Sequence, residues 1–435
     1  MTQSEAGNEE RSAAVIALDA AGSRPTRYAA RKHDRRRAEI VELATRELND
    51  HGVRGLVMAD VAARAGMTKA NLSYYFRRKE DLAAHCFDCA IEAYREMIAA
   101  AAVAPDPEAR VHVLIERYFE RSRAVLAGEA PPLAILSDIR ALEPDYQTRA
   151  VARYAEMLHE TAALLVPERS DADERYRRIP RAQILLVQLF WSAAWVSLYE
   201  PGDLPQVARR LGDIVVGGLA RPGFVWPSDW ASRARSVAGT DHAGGERAEF
   251  FRAATTLINR LGYRGASVDR IAAAMNLTKG AVYHHHESKD DLLRACFDRS
   301  FEQMWGMIRH ASGIASGPLH RIGLITAALV AFQTGEHGPL LRDTALTSLP
   351  MTPRLEVLAQ LNRISLHLAA IVSDGIAAGE LRPVDPILAA QFIIAGVNAA
   401  EEINRFVPAG LVTDVADLCV PPLLGGIFAG TPQAD

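Results

Sequence analysis

Thr68, Lys69, Ala70 and Asn71, followed by Ser73, Tyr74 and Tyr75, set hydroxyl, ammonium and carboxamide groups within two helical turns. Such groups carry out no covalent step together. They donate to phosphate oxygens, and a carboxamide such as Asn71 pairs with an adenine edge in a major groove. The arrangement returns 210 residues later as Thr278, Lys279, Gly280 and Ala281, with Tyr283, His284 and His285 behind them. Lys79 and Lys289 stand beyond each set as phosphate partners, and Arg36 and Arg37 lead into the first. Leu72 and Val282 fall on the inward side as core, and one tyrosine of the Tyr74–Tyr75 pair has a packing role open to it. Three adjacent histidines, His284 to His286, project in different directions on a helix and cannot face one ion, so no metal is expected there.

A small helical unit must position these groups, and the sequence supplies it twice. Adding 210 carries Arg37 to Arg247 and Ile98 to Ile308 without a gap, with about 22 of 62 aligned residues identical. The first copy opens on Ile40, Val41, Leu43, Ala44 and Leu48, the three-to-four spacing of an amphipathic helix. Gly52 stands where that helix ends, as a left-handed cap requires. Val61, Ala62 and Ala65 mark a second short helix, closed by Gly66 in one copy and Asn276 in the other, two residue types that tolerate positive φ. Thr68 and Thr278 then cap a third helix. This order predicts a helix-turn-helix whose third helix is the reader.

With 435 residues, 49% of them hydrophobic, the chain has material for two to four domains, and the repeat favours two copies of one unit. The net charge of −4 hides an asymmetry. Residues 27–79 hold 13 Lys/Arg against 6 Asp/Glu, and residues 247–289 hold 7 against 3. Positive charge therefore gathers at the two repeats, as binding to a polyanion requires. Cys86 and Cys89 form a C-x-x-C without a second pair and read as buried helix positions in a reducing compartment. The acidic start has no apolar core for a signal peptide, and the longest apolar stretch is read as Ile184–Tyr199, too short for a bilayer. A cytoplasmic protein, nucleoid-associated through DNA and with no membrane partner, is expected. Nucleophile elbow, Gly-rich phosphate loop and metal-spaced cluster are all missing from the sequence, so neither enzyme activity nor a cofactor is expected.

The strings DVAARAGMTKANLSYYFRRKEDL and RIAAAMNLTKGAVYHHHESKDDL resemble the DNA-binding signature of TetR-type transcriptional regulators. The resemblance implies an all-α fold of two tandem units. Each would be a three-helix DNA-binding head followed by a helical ligand-binding and dimerisation body, usually acting as a repressor. Two positions depart from the pattern: His286 replaces the aromatic seen as Phe76, and Asn276 replaces the turn glycine. The expected division is a disordered basic arm (1–34), head one (35–83), body one (84–220), a linker (221–245), head two (246–293) and body two (294–435). Trp226 and Trp230 mark where the linker packs down.

Family members pair through their last two helices, which here correspond to about 181–199 with 205–219 and 385–406 with 412–428. Both pairs lie on one chain, so the resemblance implies an internal pseudo-dimer, with further homodimerisation left open. Its heads would stand one DNA turn apart, about 34–36 Å. The segments LAILSDIRALEPDYQTRAVARYAEML and LFWSAAWVSLYEPGDL resemble the subgroup that senses acyl-CoA thioesters of catabolic pathways. By that resemblance Arg140, Arg149 or Arg153 would meet CoA phosphates, Phe190, Trp191, Trp195, Phe392 and Val397 would hold the acyl part, and Asn398, Glu401 and Glu402 would line a polar pocket or face solvent. The expected partners are double-stranded operator DNA and a small apolar effector, an acyl-CoA being the candidate. The competing reading is a ligand-binding or protein-interaction module with one inactive head that acts on another regulator.

Overall fold

The computed structural model describes residues 27–166, 172–224, 227, 229–239, 246–275, 288–342, 345–346, 349, 351–406 and 415–429. Helices account for nearly all regular structure there, and an isolated bridge between Ala220 and Leu381 is the one β-type pairing among the described residues. The first unit contains α1 (Arg27–Gly55), α2 (Met58–Arg64), α3 (Lys69–Tyr75), α4 (Lys79–Ala102) and α5 (Pro107–Leu126). A 3₁₀ turn (Leu136–Ala141) leads into α6 (Pro144–Leu164), α7 (Ala172–Ser192) and α8 (Leu204–Gly217). After α9 (Trp230–Ala238), the second unit repeats the order as α10 (Glu246–Gly265), α11 (Val268–Ala274), α12 (Lys289–Ile314), α13 (Pro318–Thr334), α14 (Met351–Ala377), α15 (Pro386–Phe406) and α16 (Val415–Gly425).

The local reasons are those of the sequence. Ile40, Ala44 and Leu48 of α1 are buried against Phe87 and Ile91 of α4 in one continuous core. Gly52 and its counterpart Gly262 both take positive φ, 68° and 71°, so each head bends its first helix at the same place. Residues 27–34, expected as a disordered arm, instead extend α1, because no glycine or proline interrupts the run from Arg27 to Asp50. Residues 1–26 lie outside the described residues. The expected linker also contains helix: α9 packs on α13, and its buried Trp230 indole sits where Gly323 leaves out a side chain. Burial from both sides explains why α13 is apolar all round.

The units meet along α7, α8, α15 and α16. The Leu219 N–H donates to the Leu424 carbonyl at 2.8 Å, and the Ile427 N–H donates to Val215 at 2.8 Å. Leu219 and Ile427 occupy corresponding places in the two units, each directly after a glycine of positive φ, Gly218 and Gly426. Gly218 takes positive φ with Gly426 against it, an approach that a Cβ would block. Helix α7 stops at Ser192, short of the expected Tyr199, whereas α15 runs to Phe406. Trp195 therefore turns back into its own body, against Phe119 and Tyr199 at ring distances of 6.0 and 5.8 Å. Among the described residues the longest apolar helical stretches are Thr352–Ala377 and Pro386–Ile403, not the one around Ile184. The second is largely buried at the seam, as a core helix of that composition would be.

Candidate nucleic-acid interface and effector cavity

In the first head the Thr68 hydroxyl accepts the Asn71 N–H at 3.2 Å and closes the N-terminus of α3. Such a cap contributes about 1 kcal/mol. Leu72 is fully buried beneath α3, while Thr68, Lys69, Ala70, Asn71 and Tyr74 face outward, Tyr74 with 77% of its surface exposed. Tyr75 stacks on His33 at 4.8 Å and is the member of the pair that packs. Ser73 donates to the Lys69 carbonyl at 2.9 Å, a bond that a phosphate would have to replace. The outward face of α3 thus offers ammonium, carboxamide and phenol groups on a rigid support. Lys79 lies half-buried at the start of α4.

Arg36 and Arg37 are engaged within the head. Arg36 pairs with Glu39 at 2.6 Å and donates to the Ala65 carbonyl at the end of α2, and the Arg37 guanidinium lies 5.2 Å from the Phe76 ring centroid. Lys289 likewise donates to the Tyr263 carbonyl and covers the Tyr263 ring. The turn and third helix of the second head, with Asn276, Thr278, Lys279, Gly280, Ala281, Tyr283, His284, His285 and His286, lie outside the described residues.

Each head is fastened to its body by an asparagine. Asn49 donates to Leu133 O at 2.8 Å and accepts from Ile135 N at 3.1 Å. Asn259 repeats both bonds with Leu340 O at 2.9 Å and Arg342 N at 3.1 Å. The one signal for this pair in the sequence is that both residues are identical in the repeat. The 3₁₀ turn adds a second tie to head one: Asp138 accepts the Val53 N–H at 2.7 Å beside Gly52. Burial raises the Asp138 pKa despite that bond. The same turn also meets head two, where a Cβ on Gly262 would lie 3.6 Å from Ala141. One turn therefore touches both heads. The heads themselves meet near the ends of α1 and α10, where Arg54 lies against Gly265.

Behind this turn is a cavity of about 270 Å³. Ile135, Leu136, Val187 and Phe190 make its apolar walls; Gln183, Asn398 and the Tyr154 hydroxyl add polar groups, with Tyr154 donating to Gln183 at 2.9 Å. At one end Arg140 of the first unit and Arg342 of the second both pair with Glu402, and Arg342 also reaches Glu401 at 2.8 Å. Burial opposes the Arg342 charge, but Glu402 and Glu401 outweigh it and lift its pKa above the ordinary arginine range. Trp191 donates to Gln391 at 2.8 Å across the seam.

Of the expected effector residues, Arg140, Trp191, Asn398 and Glu402 converge on this cavity, joined by Phe190. Arg149 lies over the Tyr146 ring at 5.0 Å, and Arg153 pairs with Asp88 and Glu92 on α4 at 2.8 and 3.0 Å, so neither reaches it. Trp195, Phe392 and Val397 belong to the core. Arg342 was missed. The signal was an arginine where the first unit has Ile135.

A second cavity, about 380 Å³, opens at the joint of head one and its body, between Val41, His85, Cys89 and Arg121. The second unit places Phe251 and Arg299 where Val41 and Cys89 stand. Cys86 is buried as expected, its counterpart Cys296 is buried too, and burial pushes both thiols up to about 12. Cys89 is exposed instead, because it sits on the side of α4 facing this opening.

Residues 40–86 and 250–296 each match the family described as bacterial regulatory proteins, tetR family. The chain is a tandem TetR-type regulator. It is a DNA-binding protein and not an enzyme. It is 26% identical over 178 residues to the HTH-type transcriptional repressor KstR2 of Rhodococcus jostii, covering 40% of this chain and 86% of that protein. With KstR2 of Mycolicibacterium smegmatis the identity is 23% over 150 residues, 34% of this chain and 73% of the relative. Among solved structures it is similar to apo AibR (25% identity, 41% of this chain, 98% of that one, TM-score 0.35). It is also similar to AibR in complex with isovaleryl coenzyme A and operator DNA (24%, 44% and 98%, TM-score 0.34).

Proposed function

We propose that this tandem TetR-type regulator is a repressor that occupies its operator as its own internal dimer and leaves it when a small, mostly apolar effector fills the inter-unit cavity. The observation that carries the reading is the 3₁₀ turn. Ile135, Leu136, Ile139 and Arg140 face the cavity, while Asp138 holds head one and Ala141 abuts head two. A molecule that moves the turn alters the relation of both heads, so successive major grooves no longer match them. Only the difference in effector affinity between the two arrangements drives release. Repression is the stated role of the KstR2 relatives, and it is the sign of regulation proposed here. DNA contact comes from α3 and its counterpart in head two: Thr68, Lys69, Asn71 and Tyr74 from the first, Thr278, Lys279 and Tyr283 from the second. Tethering makes pairing of the two heads intramolecular, so operator binding needs no second chain. The protein then works in the cytoplasm, on the nucleoid.

Fluorescence anisotropy of the chain on its own upstream promoter DNA, across a salt series, tests this. Specific binding with a steep decline in log affinity against log salt is expected, with a slope of roughly −0.9 per phosphate neutralised. Binding no stronger than to unrelated DNA would reject the proposal.

A further inference from the structure

We infer that the two units share one effector site with no counterpart on the other side of the seam, and that it takes a single uncharged, mostly apolar molecule with a hydrogen-bonding end. This rests on the regulatory reading above. From Leu133 to the end of α7 the second unit follows the first by 207 residues: Leu133 and Leu340 receive the repeated asparagines, α6 pairs with α14 and α7 with α15. The four charged groups at the end of the cavity, Arg140, Arg342, Glu401 and Glu402, then correspond to Thr347, Ile135, Ala194 and Trp195. None of those carries a charge. The polar wall is equally one-sided: Tyr154 and Gln183 correspond to Leu361 and Ala390. Asn398 stands where the first unit has Trp191, so one helix contributes an indole and the other leaves room. An ordinary two-fold dimer would repeat any such site. Here duplication followed by divergence has left one polar-ended cavity to serve two heads.

The same four groups decide the ligand's charge. Among the described residues two guanidinium groups face two carboxylates, all in side chains with less than a fifth of their surface exposed, so each of these charges already has an opposite one beside it. An entering carboxylate would add an uncompensated charge to a poorly solvated place. A ketone, ester, thioester or hydroxyl adds none and finds Gln183 and Asn398 as partners. The volume, about 270 Å³, lies near the lower end for small-molecule pockets and suits one molecule. Because one occupant moves the one turn that touches both heads, release is a single binding event without cooperativity.

The full chain is titrated with Nile red, an uncharged fluorescent probe, and methyl decanoate and decanoate are compared as competitors. Saturation at one probe per chain is expected, with the ester displacing it at a concentration at least tenfold below the acid. Asn398→Trp copies a side chain that α7 already carries at the matching place, and is expected to weaken uptake at least tenfold with an unchanged circular dichroism spectrum. Val187→Phe fills the same space from the opposite helix and should do likewise, covering the case in which the first variant misfolds. Two probes per chain, no uptake at all, equal competition by the acid, or uptake untouched by both filling variants would overturn the proposal. Promoter binding measured in parallel without probe separates the two claims. One probe per chain with no promoter binding keeps the site and rejects the regulatory reading.

Discussion

Removing the charge of Glu402 tests how the cavity end holds the units together. In the parent, Glu402 receives Arg140 from one unit and Arg342 from the other; the three side chains are 15%, 16% and 8% exposed. Glu402→Gln removes the carboxylate that both guanidinium groups share. Taking one partner from a fully buried pair costs about 3–5 kcal/mol, and the residual exposure here lowers the expectation to roughly 2–4 kcal/mol. Arg140→Gln in the same chain removes the surplus positive charge and leaves Arg342 with Glu401. The double variant should therefore be more stable than the sum of the single changes predicts, by about 1–3 kcal/mol. Urea denaturation of all four proteins, followed by both tryptophan fluorescence and circular dichroism, measures the cycle. The two probes must coincide, because a chain of several domains need not unfold in one step. A coupling energy below about 0.5 kcal/mol would refute the reasoning, since it would mean that solvent screens the cluster as it does a surface pair.

Other outcomes follow from the same geometry. Asp138 holds its proton more tightly folded than unfolded, so its charge disfavours folding at neutral pH and the penalty fades as pH falls through its raised pKa. Asp138→Asn keeps an acceptor for Val53 and should melt no lower than the parent at pH 7, with any advantage shrinking on acidification. A melting difference in favour of the parent that holds constant with pH would contradict this. Gly218→Ala places a Cβ at positive φ against Gly426 and should lower stability by about 3 kcal/mol or more, read by denaturant midpoint. Iodoacetamide should label Cys89 well ahead of Cys86, Cys296 and Cys419, which are buried. Mass spectrometry of the native protein checks the order.

Much of this molecule was legible in its sequence because the chain states its case twice. Identical glycines, cap threonines and lysines at a constant spacing fix the heads with little reference to anything distant. The body was legible only in part. Arg140 and Arg153 are alike as sequence, yet one points into the seam and the other meets Asp88 and Glu92, a choice made by helix rotation and by which acidic neighbours come within reach. Trp191 and Trp195 are one turn apart, but α7 ends between them, so only the first reaches the partner unit. The inter-unit ion cluster needs residues more than 250 positions apart, such as Arg140 and Glu402, and local pattern carries no record of that meeting. The sequence also held asymmetry, of which the Glu401 and Glu402 side was visible and the Arg342 side was not. Arg342 against Ile135 and Glu402 against Trp195 are departures that a repeat conserved only for folding has no reason to show.

The central claim is that one chain reads DNA with two heads. Its most direct test is the mass of the complex on promoter DNA, determined by multi-angle light scattering for the parent, Lys69→Ala and Lys279→Ala. The account predicts one chain per operator, both substitutions weakening binding and each shallowing the salt dependence by about one unit. Two chains per operator, or full affinity retained by Lys279→Ala, would contradict it.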